Sequence, residues 1–317
     1  ETVETPKKMR VIHAPYLGTP AGGSAYSSLN EAVASADADK TYELGGDEDV
    51  TSNLGTMLGI TLTIEGNNHS IDGNEHSGIT VSSGQTLTVQ NVGSVTKDTD
   101  GNITDTPTSV TGFVGNNGGF VNNAGTATVT NTVFANNELK DYAGDVYGSL
   151  IYNSGEMSIT GSTFYNNKVT NATGITRGGL IYNANHITTL NGEFVGNTMT
   201  SSDTHILGAL IMSKAGATID NIGTSSQKAL FKNNSAISTN GQVQAGIIQT
   251  YANSDITNIY ADFISNSISS VNKPAFGGAI LNNSTITNMY ADFTSNSATS
   301  TNNCAYGGAI DNRGTIT

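Results

Sequence analysis

The sequence predicts an all-β chain, a parallel β-solenoid of about ten coils with a short capping helix on its N-terminal side. Three recurring elements predict it. The first is a glycine-led apolar step, present as Gly118-Gly119-Phe120-Val121, Gly148-Ser149-Leu150-Ile151, Gly178-Gly179-Leu180-Ile181, Gly208-Ala209-Leu210-Ile211, Ala245-Gly246-Ile247-Ile248, Gly277-Gly278-Ala279-Ile280 and Gly307-Gly308-Ala309-Ile310. Successive copies start 30, 30, 30, 37, 32 and 30 residues apart, which fits the length of one coil. The second is Phe-x-x-Asn, led by Phe113, Phe134, Phe164, Phe194, Phe231, Phe263 and Phe293. From Phe134 onward each Phe lies fourteen positions before the next step, so the insertions fall between Gly208 and Phe231 and between Ala245 and Phe263. Phe113 breaks this phase and marks an irregular coil. The third is an alternating strand, seen in Thr128-Val129-Thr130, Ser158-Ile159-Thr160, Thr218-Ile219-Asp220, Asp255-Ile256-Thr257, Thr285-Ile286-Thr287 and Thr315-Ile316-Thr317.

Stacking explains these residue choices. If equivalent positions repeat at about 4.8 Å, successive Phe rings fall in the favourable range for aromatic pairs and form a core stack. Asn at the following corner is expected to take the left-handed backbone of a turn and to bond its own copy above and below. Glycine at the strand start allows a tight corner and close approach of the neighbouring coil. Period two in the strands turns Ile inward and hydroxyls outward.

Taken in chain order, residues 1–25 form an N-terminal extension. Residues 26–40 are the capping region, where Leu29, Val33 and Ala36 share helical spacing behind a Ser27 or Ser28 N-cap and cover the open end of the core. Residues 41–112 are irregular opening coils, with Thr61-Leu62-Thr63 and Thr86-Leu87-Thr88 as earlier counterparts of the alternating strand. A hairpin near 95–105, turning at Asp100-Gly101, is expected to protrude from the shaft. Residues 113–317 are the regular coils. The chain stops inside a repeat, at Thr317, and the native protein is expected to continue.

Composition excludes several functions. Charged residues are 12% of the chain and the net charge is −13, so a nucleic-acid backbone is repelled and no Lys/Arg cluster offsets this. No apolar run approaches the roughly 18 residues of a membrane span. Cys304, the single cysteine, reads as a small buried apolar residue. A polysaccharide-acting enzyme needs an acid and a base on one face. The candidates are the Asp47-Glu48-Asp49 run, which reads as a solvated turn, and Asp72 with His76, where Asp72 reads as a turn residue. His13, His69, His76, His186 and His205 show no metal-ligand spacing. The acids of Asp98–Asp105 hint at a calcium loop with an incomplete ligand set. Outward threonines raise an ice-binding face, but Ser158, Asp220 and Asp255 interrupt the column. No catalytic, cofactor-binding or metal residue is assigned, and no cofactor is expected.

The interval between Phe and glycine step has constant length and varied inner residues, Asp141-Tyr142, Asn171-Ala172, Asp203-Thr204, Thr239-Asn240, Val271-Asn272 and Thr301-Asn302. A fixed backbone presenting different side chains suits an interaction surface.

Over 113–317 the seven Phe-x-x-Asn copies, with the literal Gly-Gly-Ala-Ile steps at Gly277–Ile280 and Gly307–Ile310, resemble the repeats of polymorphic membrane protein (Pmp) autotransporter passengers. The segments Leu62–Asn68 and Ser70–Gly73 look like the first coils of pectate-lyase-like β-helices. The resemblance implies a right-handed, single-stranded parallel β-helix. It also implies a bacterial cell-surface passenger, anchored in the outer membrane through a C-terminal barrel or released, that acts as an adhesin. The expected partner is a host-cell or matrix protein or glycan receptor, with self-association into a passive structural or filament protein as the alternative.

Overall fold

The computed structural model describes residues 26–171 and 173–317; the N-terminal extension, with His13, and Ala172 lie outside the described residues. One coil is clearest from Glu156 onward. The long strand Glu156–Tyr165 turns into Lys168–Asn171 and Thr176–Arg177, the glycine step leads to Ile181–Asn183, and His186–Val195 then lies directly against Glu156–Tyr165. Repetition of this path builds one sheet of 15 strands, two of 6 and one of 9, all paired parallel. The winding is right-handed, the hand that strand twist favours for a return to a parallel neighbour.

The Phe column is the axis of the core. Phe134, Phe164, Phe194, Phe231 and Phe263 are fully buried, and each step from Phe134 to Phe293 stacks face to face at 4.8, 4.5, 4.8, 4.9 and 4.9 Å. Each buried ring contributes about 1.5–3 kcal/mol of hydrophobic stabilisation. Below Phe134 the column continues through Val110 and Ile71. Phe113 therefore stands outside it and packs edge-on against Phe120 at 5.0 Å. The Asn of that first Phe-x-x-Asn, Asn116, bonds the Asp145 carbonyl instead of joining a ladder.

The ladder itself runs through Asn137, Asn167, Asn197, Asn234, Asn266 and Asn296. Each side-chain amide donates to the next Oδ1 at 2.9–3.0 Å. From Asn167 onward each also donates to the carbonyl of a Phe in the preceding coil. Asn137 donates to Val110 in that role, and its own Oδ1 has no partner, because no amide stands beneath it. The expected left-handed backbone lies one residue earlier, at Asn136, Asn166, Gly196, Asn233, Ser265 and Ser295. The ladder residue has to aim its side chain into the core, so the turn residue beside it takes the strained conformation. A second ladder, absent from the sequence reading, links Asn123, Asn153 and Asn183 at 2.8 and 3.0 Å and reappears between Asn282 and Asn312.

At the glycine step, Gly178 has φ +54 and a Cβ there would collide with the Ile181 carbonyl. Ala245 takes the same backbone with φ 60. The alternating strands point as expected, but they supply two inward columns. Val129 and Ile159 align with Leu190, Ile222 and Ile259, whereas Ile219, Ile256 and Ile286 align with Met157 and Ile187. Each strand has two inward positions, two residues apart in Met157 and Ile159 but three apart after a register shift, in Ile187 and Leu190, Ile219 and Ile222, and Ile256 and Ile259, and similar tripeptides cover both.

Helix Leu29–Ala34 closes the first coil, with Ser28 as N-cap and Leu29, Ala32 and Val33 buried. Ala36 lies beyond its end and is exposed. Lys40, 4% exposed, donates to the Ala32 and Ser35 carbonyls and so satisfies the helix end. The hairpin forms through antiparallel bridges Ser94↔Thr108 and Lys97↔Ile103. It lies along the shaft instead of protruding: Lys97 meets Glu193 at 2.6 Å and Asn102 accepts from Lys232 at 2.8 Å.

Candidate interaction groove

Each glycine step bends the wall, and the outward side chains flanking the bend face one another. The residue before the glycine and the residue four after it form a rung: Tyr147 with Tyr152, Arg177 with Tyr182, Leu207 with Met212, Gln244 with Gln249, Phe276 with Leu281. These positions point away from the core, yet Tyr182, Leu207, Met212, Gln249 and Leu281 are 6, 7, 3, 1 and 0% exposed. Outward side chains reach such burial only inside a concave corner. Tyr182 with Leu207 and Met212 forms an apolar cluster separate from the core, joined by Tyr147, Tyr152 and Tyr251.

Aromatic and charged contacts order the groove. Tyr182 stacks on Tyr152 at 5.5 Å and meets Tyr147 edge-on at 5.1 Å. Arg177 lies over the Tyr147 ring at 5.0 Å and pairs with Asp145 at 2.6 Å. Burial, reinforced by the neighbouring tyrosines, pushes the Tyr182 hydroxyl up to about 12. Burial alone would raise the Asp145 carboxyl, but the Ile175 N–H and the Arg177 guanidinium outweigh it and hold the group below its ordinary range. Further along, Gln249 bonds Gln244 across the bend at 3.1 Å, and Arg313 covers Phe276 at 4.4 Å.

In the opening coils the same corner is lined by small residues. Strand register places Thr80 beneath Asn122, and Asn122 beneath Tyr152. There the groove opens into a cleft of about 280 Å³ bounded by Gly55, Ser77, Thr80, Asn116, Asn117 and Asn122.

The sequence candidates lie elsewhere. Glu48, expected to be solvated, instead accepts from the Leu29 N–H at 2.8 Å and the Tyr42 hydroxyl at 2.7 Å, which ties the cap helix to the first coil. Asp47 accepts from the Ser70 N–H and lies 3.7 Å from His69; Asp49 pairs in strand register with Asp72 and is exposed. Asp72 accepts from the Asn74 N–H, and among the described residues it shares no hydrogen bond with His76. Asp98 accepts from the Asp100 and Asn102 N–H groups of its own loop. Among the described residues no group of three acidic, His or Cys side chains is placed to hold a metal ion. His205 Nδ1 accepts from the Gln242 N–H. Cys304 is exposed, not buried; the position before Ala305 aligns with that before Ala275, Pro274, on the outside of the wall.

Two corrections bear on chemistry. An acid and a base do converge on one face, because His186 holds Glu156 at 2.6 Å through Nδ1 and Asp220 at 3.0 Å through Nε2. The interval before the glycine step is also less varied than its sequence suggests: Asp203, Asn240, Asn272 and Asn302 form one exposed ladder at 2.9, 2.8 and 2.9 Å. The column of changing side chains is the glycine corner, which sequence reading missed because no residue type runs through it beyond the pair Tyr152 and Tyr182. Its only signal is a bulky residue at a fixed offset from the glycine steps between Gly148 and Gly277.

No family model matches this chain, and neither a curated protein nor a solved structure is significantly similar to it. Among the described residues no helix is long and apolar enough to cross a membrane.

Proposed function

We propose that this chain is an attachment shaft, a surface-displayed or secreted passenger of the Pmp-like kind, whose binding surface is the glycine-corner groove. The observation that carries the reading is that corner: its backbone is constant, its side chains differ from rung to rung, and beside Asn122, Tyr147 and Tyr152 it stays open as a cleft with half-buried aromatic side chains next to it. Concave sites with aromatic lining and a few fixed polar groups are the usual form of a recognition surface. About ten coils at about 4.8 Å make a rod of roughly 50 Å, which separates contact surface from anchor. One rung offers too little area for a tight interface, so attachment draws on many rungs or many copies. The expected partner is a host-cell or matrix protein or a glycan, and the net charge of −13 disfavours nucleic acid.

The purified segment, displayed as a multimer, should bind host cells or matrix, and a Tyr147→Ala/Tyr152→Ala variant with unchanged circular dichroism should bind less. A multimer that binds no cell or matrix ligand, but assembles into filaments, would replace this reading with a structural one. Release of reducing ends or unsaturated uronides from polysaccharide would replace it with an enzyme, and His186 with Glu156 and Asp220 would be the first residues to alter.

A further inference from the structure

We propose that the cleft in the opening coils is a subsite for a neutral oligosaccharide that runs along the shaft and ends against Tyr147 and Tyr152. The inference rests on the attachment reading and assigns it a ligand class and a location.

Three observations point to this occupant. The cleft is bounded by hydroxyls, amides and glycines, and no ionisable side chain lines it. That lining matches sugar hydroxyls, whereas a uronic-acid chain would find no cation there and would meet a chain of net charge −13. Next, the polar groups are unoccupied by the protein. The ladder asparagines are saturated by one another, whereas among the described residues the side chains of Thr80, Asn117 and Asn122, half-buried or exposed, make no hydrogen bond within the protein. Thr80 lies one coil below Asn122, and Asn117, on the other side of Gly118 from Asn122, lies one coil below Tyr147, so groups in each column follow one another at about 4.8 Å, close to the repeat of an extended chain of sugar rings. Finally, the next rung closes the polar stretch with half-buried Tyr147 and Tyr152. A sugar ring carries an apolar C–H face, and an aromatic ring held in place by Tyr182 and Arg177 receives such a face at little entropic cost.

The corner also suggests its own blocking variant. Tyr stands at the Asn122 column position in the following two coils, so Asn122→Tyr should fold while filling the cleft. Titration of the ¹⁵N-labelled chain with mannohexaose, maltohexaose, laminarihexaose and cellohexaose, with hexagalacturonate as the charged comparison, tests the proposal. At least one neutral hexasaccharide should bind saturably, with shifts confined to residues 77–80, 115–122, 147 and 152. Asn117→Ala/Asn122→Ala should weaken binding about tenfold or more, and Asn122→Tyr should abolish it. Three results would overturn the proposal: no neutral hexasaccharide binding at millimolar concentration, binding that survives Asn122→Tyr, or equal binding of hexagalacturonate. If the wild-type chain still attaches to cells in any of these cases, the attachment reading stands and only the glycan subsite falls.

Discussion

The Phe and Asn columns of the core and the outside of the glycine corner obey opposite rules on the same backbone. In the core, two columns keep one residue type: Phe on Phe from Phe134 to Phe293, Asn on Asn from Asn137 to Asn296. Outside, the column above Asn122 reads Tyr152, Tyr182, Met212, Gln249 and Leu281. The difference lies in what each column asks of its members. A ladder amide is satisfied by its own copy, and a stacked ring packs best on an identical ring, so identity is stabilising. A corner side chain needs only to fill volume against its neighbours, and its chemistry is free to change from coil to coil.

The interior rule breaks most visibly at Phe194, whose ring stacks at 4.5 and 4.8 Å on its two neighbours. Phe194→Ala should cost about 3–5 kcal/mol through the cavity it leaves. Because coils contact mainly their neighbours, hydrogen exchange should show the loss as local opening around residues 164–231 before global unfolding. Unchanged exchange there would remove the stack from the core account. Asn197→Ala comes next. It takes away the acceptor of the Asn167 N–H and amide and the donor to the Phe164 carbonyl, and should cost about 2–4 kcal/mol in chemical denaturation, from buried groups worth about 1–3 each. The same change at Asn137, whose Oδ1 is already unpartnered, should cost less; equal costs would show that the ladder is not cooperative.

This contrast also explains what was legible in the sequence. Columns built on identity announce themselves as repeats, so the Phe stack, the Asn ladder and the coil length could be read from spacing alone. Spacing misled where a motif recurs without the register: Phe113-Val114-Gly115-Asn116 has the right letters and neither the stack nor the ladder position. The groove was illegible because no residue type runs through it beyond Tyr152 and Tyr182, and burial of outward side chains follows from a bend in the wall, not from hydropathy. The Glu156–His186–Asp220 cluster was missed for another reason. Its members lie 30 and 34 residues apart, and only the coil brings them together, so a search for nearby acids and bases passes over them.

A change on the outer side of the corner should cost far less than one inside. Tyr152→Asn installs the residue that occupies the column one coil earlier and removes the 5.5 Å stack on Tyr182. A loss of about 1 kcal/mol is expected from the aromatic pair, read as a small shift of the denaturation midpoint. A loss as large as that of Phe194→Ala would mean that the groove is part of the folding core and that its variation is structurally constrained.

The smallest expected effect is also the one that depends on pH. Burial alone would lower the His186 pKa, but hydrogen bonds and charges from Asp220 and Glu156 outweigh it and raise it above its ordinary value. A raised folded-state pKa means that the protonated ring stabilises the coils fully below its unfolded value of about 6.5, and that this contribution is lost as pH rises through the folded value. The two carboxylates are about half exposed, 50 and 47%, so solvent screening should keep the effect to about 1 kcal/mol or less. Stability of the wild-type chain should therefore fall slightly across the neutral-to-basic range relative to His186→Gln, which carries no titrating ring. Following the imidazole resonances by NMR gives the same answer independently, as a midpoint above that of a free histidine. A midpoint at or below the free value would show that the carboxylates on either side do not hold the ring charged, and the clamp across three coils would be withdrawn.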